Sequence, residues 1–221
     1  MSDRARAARP QLVGYSARLL RDGLAVGSAG NISIRCGDIV AITPSGIGCS
    51  DMRPGDICML TLDGTQITDD SAETPSSETP MHLAIYAATD AAAVVHTHSP
   101  EVVALSAARP ELPAIHYAIT WLGGPVRVAP YARFGSAALA AAAVEALQGR
   151  SAVILRNHGA VTYGRDLAQA YDRAVLLEWL ARTYRLALCY GEPALLSAAE
   201  LDEVTAETRR RRYGERRGGS S

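Results

Sequence analysis

The stretch "AAAVVHTH" (91–98) sets an apolar run directly against two histidines, His96 and His98. A short apolar run of this kind, bounded by polar residues, reads as a buried strand, and a buried strand needs a sheet around it and layers to cover it. The flanking segments supply both. Leu12, Val13, Leu19, Leu20 and Leu24 recur around Arg18, Arg21 and Asp22, which predicts an amphipathic helix over 10–24. Ile32 and Ile34 alternate as in a strand, and "DIVAITPSG" and "DICMLTLDG" read as two more strands that end in turns. "PMHLAIYAAT" and "PEVVALSAA" read as helices opened by proline, and residues 65–78 as a polar loop. "SAALAAAAVEALQG" predicts a helix with a terminal glycine, and "SAVILRNHGAVTYG" one or two strands around a turn. Residues 166–190 carry the longest helical pattern and 197–212 a last helix. The expectation is a single α/β domain over 1–221 with a central, largely antiparallel sheet flanked by helices, and a flexible tail over 214–221.

Composition narrows the function. With 221 residues a chain buries roughly 70% of its unfolded surface and needs no disulfide or structural metal to fold. The net charge of −1 argues against nucleic acid or a membrane surface as the main partner. The start "MSDRARAARP" has no signal-peptide pattern, and no window approaches a membrane-spanning length. Cys36, Cys49, Cys58 and Cys189 form no short-spaced framework, so a reducing cytoplasm is expected. All 22 basic residues are arginine. A lysine Schiff base and a lysine-bearing phosphate loop are therefore excluded, and any carbanion chemistry has to use a metal or another electrophile.

Four positions suggest where such a metal would sit. On a strand, residues two apart share a face, so His96 and His98 project together, about 6–7 Å apart at Cα. They are either a pair of imidazole ligands or two solvated histidines at a strand end. His158, in "RNHGAV", is either a third ligand or a turn residue before glycine; three protein ligands with an open position is a common catalytic zinc set. Glu78, in "PSSETP", is either a solvated acid at a helix start or a fourth ligand that moves protons. Ser76 and Ser77 before it read as helix caps or, with the helix-start N–H groups, as an anion cradle. "SAGNIS" and "TPSGIG" combine glycine with small polar side chains, as ordinary turns and as phosphate-binding loops both do. His82 and His116 fit structural or supporting roles, Tyr117 fits a half-buried strand position, and the Arg209–Arg212 run fits solvated helix surface.

Taken together, "GNIS", "TPSG", "PSSE", "HTH" and "NHG" resemble, in order and rough spacing, the zinc-dependent class II aldolase/adducin family from about residue 10 to 214. "ELPAIHYAI", "APYARFG" and "RYG" look like its fuculose-phosphate aldolase branch. The resemblance implies a three-layer fold and one Zn2+ per subunit, or another divalent ion, held by Glu78, His96, His98 and His158. It implies a phosphate group bound by Gly30, Asn31, Ser45, Gly46, Ser76 and Ser77. It implies Glu78 as base, Tyr117 as proton donor, and Phe134 and Tyr213 around the aldehyde. The activity implied is reversible cleavage of a ketose 1-phosphate, L-fuculose 1-phosphate or a 5-deoxy-pentulose relative, to dihydroxyacetone phosphate and a small aldehyde such as lactaldehyde. The implied assembly is a cyclic homotetramer with sites at subunit interfaces.

One feature departs from that branch. "HTHS" is more like the L-ribulose-5-phosphate 4-epimerases, although those carry aspartate where this chain has Glu78. A 4-epimerase or decarboxylase, and a non-catalytic adducin-like binding module, are the alternatives.

Overall fold

The computed structural model describes residues 3–67 and 73–211. Among the described residues there are eight strands: β1 (Asn31–Cys36), β2 (Ile39–Ile42), β3 (Cys58–Thr61), β4 (Ala93–Thr97), β5 (Glu111–Leu112), β6 (Val126–Ala129), β7 (Ala152–Leu155) and β8 (Gly159–Gly164). They make one sheet in the order β3-β2-β1-β4-β8-β7-β6-β5. Every pairing is antiparallel except β6 with β7. Among the described residues six α-helices accompany it: α1 (Asp3–Arg21), α2 (Thr79–Ala88), α3 (Pro100–Ala108), α4 (Ala137–Ala146), α5 (Leu167–Leu188) and α6 (Ala198–Arg210). Among the described residues no helix is long and apolar enough to cross a membrane.

The apolar run became β4, in the middle of the sheet and buried along its whole length. Its alternation divides the core in two. Ala93 and Val95 pack with α1 and the start of α5, while Val94 packs with Met81, Ile85, Leu139 and Ala143 of α2 and α4 on the other face. A third cluster joins α3 and the later part of α5 to β6 and β7 through Val102, Leu177, Leu180, Val126 and Ile154. Removing such side chains from water contributes about 1.5–3 kcal/mol each, which offsets the cost of ordering the chain.

Three expectations needed correction. The first helix begins at Asp3 rather than residue 10 and accommodates Pro10 in its interior, beyond the reach of the leucine pattern. The short strands β5 and β6 went unforeseen, because two and four residues give too little periodicity to register. Tyr117 is not a half-buried strand residue: it opens a 3-10 helix, Tyr117–Leu122, and is half exposed. The neighbouring His116 supplies the physical reason, since its ring Nδ1 accepts the Ala118 N–H and caps that turn.

Candidate metal centre and anion cleft

His96 sits on the face of β4 that looks towards α2, in the same series as Val94, and His98 follows one step on. Thr97 between them falls on the opposite face and is buried. The register places Asn31 of β1 directly opposite His96. On the other side β8 pairs with β4, which brings the turn between β7 and β8, and with it His158, to the same end of the sheet. Glu78 stands at the start of α2 above these strands. Glu78 and His158, 80 positions apart in the sequence, therefore meet through strand register and the packing of α2 on the sheet.

The turn carrying His158 is held by close backbone packing. A Cβ on Gly159 would lie 2.0 Å from the Thr97 carbonyl oxygen, so only glycine lets β8 approach β4 there. Asn157 adopts a left-handed conformation with φ 54, which asparagine tolerates better than most residues. Its N–H donates to the hydroxyl of Ser106, a buried residue of α3. The Glu178 carboxylate accepts the N–H groups of Glu101 and Val102, fixing the start of α3 just after His98. Sequence reading missed both Ser106 and Glu178, because neither belongs to a motif and each acts through a neighbour's backbone.

The three imidazole rings form a triangle with centroids 4.7, 4.9 and 4.9 Å apart. One ligand atom from each of Glu78, His96, His98 and His158 lies within 4.8 Å of the others. His96 Nε2 is 2.7 Å from Glu78 Oε2 and 2.9 Å from His98 Nε2, and His158 Nε2 is 3.4 Å from Glu78 Oε1. The His96 Nδ1–H donates to the Ala160 carbonyl, so in the neutral ring Nε2 carries a lone pair. That lone pair faces a carboxylate oxygen and a second ring nitrogen. Acceptors this close are reconciled by a proton or a metal ion between them. Glu78 Oε1 is buried with no hydrogen-bond partner, as expected of an atom that has a ligand to bind. These separations, 2.7 to 3.4 Å, bracket the ~3.3 Å edge of a tetrahedral ion with bonds of about 2.0–2.1 Å. The donor set fits a divalent metal.

Electrostatics point the same way. Burial pushes the Glu78 carboxyl up, but the neighbouring His96 and His158 and the hydrogen bond from Asn31 outweigh it and hold Glu78 ionised, well below the usual carboxylate range. Burial, then the neighbouring imidazoles, pushes His98 down to about 3, and burial lowers His158 as well. Neutral His98 and His158 beside an ionised carboxylate are in the protonation states a metal requires.

Beside the donors opens a cleft of about 460 Å³, a volume suited to a small molecule. Gly30, Asn31, Ser45, Gly46, Ser76, Ser77 and Phe134 all line it, together with Glu78, His98 and His158. Pro44 pairs with Pro75 in an isolated bridge, and the Ser45 N–H donates to the Thr74 carbonyl, which joins the two serine turns into one wall. The left-handed φ of 88 at Gly30, with its Cα hydrogen facing the His96 carbonyl, explains the glycine of "GNIS". Tyr131 also lines the cleft; it lies in "APYARFG" but its residue type alone gave no signal. Tyr117 does not line the cleft of its own chain: its ring stacks on His116, with centroids 4.3 Å apart, and Trp179 meets the far edge of His116. Tyr213 lies outside the described residues.

One carboxylate and three imidazoles converge beside a serine- and glycine-lined cleft, a donor set that fits a divalent metal next to a small-molecule site. The chain belongs to the family described as class II aldolase and adducin N-terminal domain, whose profile matches residues 10–185. It is 39% identical over 199 residues to the 5-deoxy-D-ribulose 1-phosphate aldolase of Bacillus thuringiensis serovar kurstaki, covering 89% of this chain and 92% of that one. It is also 39% identical over 200 residues to the 5-methylthioribulose-1-phosphate/5-deoxyribulose-1-phosphate aldolase of Rhodospirillum rubrum, with coverage of 90% and 89%. Among solved structures, an L-fuculose 1-phosphate aldolase superposes with a TM-score of 0.88 at 33% identity, over 95% of this chain and 98% of that one.

Proposed function

We propose that this chain is a divalent-metal-dependent aldolase that reversibly cleaves a ketose 1-phosphate to dihydroxyacetone phosphate and a small aldehyde. The observation that carries the reading is the unpartnered, buried Glu78 Oε1 among three histidine nitrogens on the floor of the cleft. Relatives named for 5-deoxyribulose 1-phosphate favour a 5-deoxy-pentulose 1-phosphate as substrate, with L-fuculose 1-phosphate next. Zinc is the proposed ion, from the three-histidine, one-carboxylate set.

When bound, the ion supplies Lewis acidity for charge that develops on substrate oxygens. The chain's own residues do the rest. The Asn31 side-chain amide, the hydroxyls of Ser45, Ser76 and Ser77 and the backbone at Gly30 and Gly46 hold the phosphate, and this remote anchoring orients the bond to be broken. Glu78, ionised, takes up and returns a proton at the carbon that becomes the dihydroxyacetone phosphate terminus. Phe134, at the rim, and Tyr213 shape the aldehyde end. Tyr117 delivers the proton to the aldehyde oxygen from a neighbouring subunit. The exposed Tyr117, Trp121 and Trp179 support that reading, being large apolar side chains that a homotetramer would cover. Cysteines with no short-spaced framework suit the cytoplasm, where the reading places the enzyme. Thr97 faces away from the cleft, so the residue that suggested an epimerase makes no contact there.

A panel of 1-phosphoketoses, coupled through glycerol-phosphate dehydrogenase, tests the proposal. Dihydroxyacetone phosphate release that a chelator abolishes and zinc restores is expected. No release from any member of the panel would overturn it. Sedimentation of the native protein tests the tetramer.

A further inference from the structure

Between β1, β4 and α2 the core is polar where its surroundings are apolar. Asn31, Ser33, His82, Tyr86 and His96 fill it, all but Asn31 with almost no exposure. Their hydrogen bonds form a chain that ends on Glu78. Tyr86 Oη is 2.7 Å from Ser33 Oγ, Ser33 Oγ is 2.7 Å from His82 Nδ1, His82 Nε2 is 2.6 Å from Asn31 Oδ1, and Asn31 Nδ2 is 3.1 Å from Glu78 Oε2.

The direction of every link follows from the last. An ionised carboxylate only accepts, so Asn31 presents its amide nitrogen to Glu78 and its carbonyl oxygen to His82. A carbonyl also only accepts, so His82 carries its proton on Nε2. Its Nδ1 then accepts from the Ser33 hydroxyl, and Ser33, with its one hydrogen committed, accepts from Tyr86. Full burial pushes the Tyr86 phenol up and His82 down to about 3, so both keep these states across the working pH range. All four donors point towards Glu78. Such chains reinforce themselves, because each bond polarises the next.

We propose that His82 is a positioning residue: by occupying the Asn31 oxygen it turns the Asn31 amide nitrogen to Glu78 and to the cleft. The Asn31 side chain then meets a ligand as a donor only, and the cleft selects an anionic oxygen at that point. The inference rests on the reading of Asn31 as part of the phosphate cradle. Without His82 only the Glu78 contact holds the amide's orientation, and a flipped oxygen would repel the same ligand.

Two measurements on the intact protein test this without turnover. Long-range 1H–15N correlation spectra of histidine-labelled, metal-free protein should show His82 as the Nε2–H tautomer with Nδ1 accepting; an Nδ1–H tautomer or a cationic ring at neutral pH overturns the proposal. Titration with inorganic phosphate should give a Kd about tenfold weaker in His82→Leu, the cost of misdirecting one buried hydrogen bond. His82→Gln, whose amide N–H can replace Nε2–H, should restore it to within about threefold. A folded His82→Leu that binds phosphate as the wild type does overturns the proposal. Should His82→Leu fail to fold, His82→Asn, polar but too short to reach Asn31, takes its place with the same expected loss. A wild type that passes both tests but releases no dihydroxyacetone phosphate overturns the aldolase reading and leaves this one standing.

Discussion

The two walls of the cleft are built by different means. On one wall the donors His96, His98 and His158 hang from strand β4, the residue just past its end and the turn between β7 and β8, with Gly159 pressed against Thr97 and Asn157 tied to Ser106. On the other, Ser45, Gly46, Ser76 and Ser77 lie on turns joined by a single bridge at Pro44 and Pro75. The contrast follows from what each wall has to bind. A metal demands side-chain atoms placed within a few tenths of an ångström, which paired central strands and a supporting layer provide. A phosphate spreads its charge over several oxygens and is met by backbone N–H groups, which short turns present at little cost. Losses should therefore be all-or-none on the first wall and graded on the second.

The largest effect expected is from the metal wall itself. Chelation, or His96→Ala, should lower kcat/KM by at least about 10³-fold, read in the coupled aldolase assay with metal content measured alongside. Activity above about a tenth of wild type in metal-free His96→Ala would show that the histidine wall is not the reaction centre. Glu78→Gln should retain the fold and bound metal while kcat falls about 10²–10⁴-fold, as loss of a general base predicts.

The layer behind this wall should appear in acid. His82 is neutral when folded, with a pKa near 3, and protonates in the unfolded chain near 6.5. The unfolded state therefore binds more protons below about pH 6.5, and the folded state loses stability as pH falls. At pH 5 the loss from this group is about 2 kcal/mol. Urea midpoints of metal-free protein should drop between pH 7 and 5, and less so in His82→Gln; equal slopes for both would remove His82 from this role.

On the turn wall, Ser45→Ala should raise KM about tenfold and leave kcat within about twofold. An equal fall in kcat would mean that this wall, too, takes part in the chemistry rather than in anchoring. The smallest effect is expected away from both. Arg185 donates twice to Glu101 across α5 and α3, and its side chain is about half exposed, so Arg185→Ala should cost less than about 1 kcal/mol in a thermal or urea melt.

The sequence by itself determined the buried strand over 91–98, the helices opened by Pro80 and Pro100, the long helix after Asp166, and the candidate donors and turns. These are local matters: an apolar run, a proline's missing N–H or a capping side chain acts within a few residues. It also excluded lysine chemistry outright. Tertiary structure decided what no local signal carries. Strand register put Asn31 across from His96, and the crossing of β8 beside β4 brought His158 within reach of Glu78. Packing of α2 over that face gave His82, an unremarkable helix histidine in the sequence, a fixed proton and a partner in Asn31. Likewise Tyr117, read as a strand residue, turned outwards because His116 capped a helical turn. Hydrogen-bond direction and acceptor crowding depend on atoms far apart in the chain meeting within about 3 Å, and only the folded backbone sets that distance.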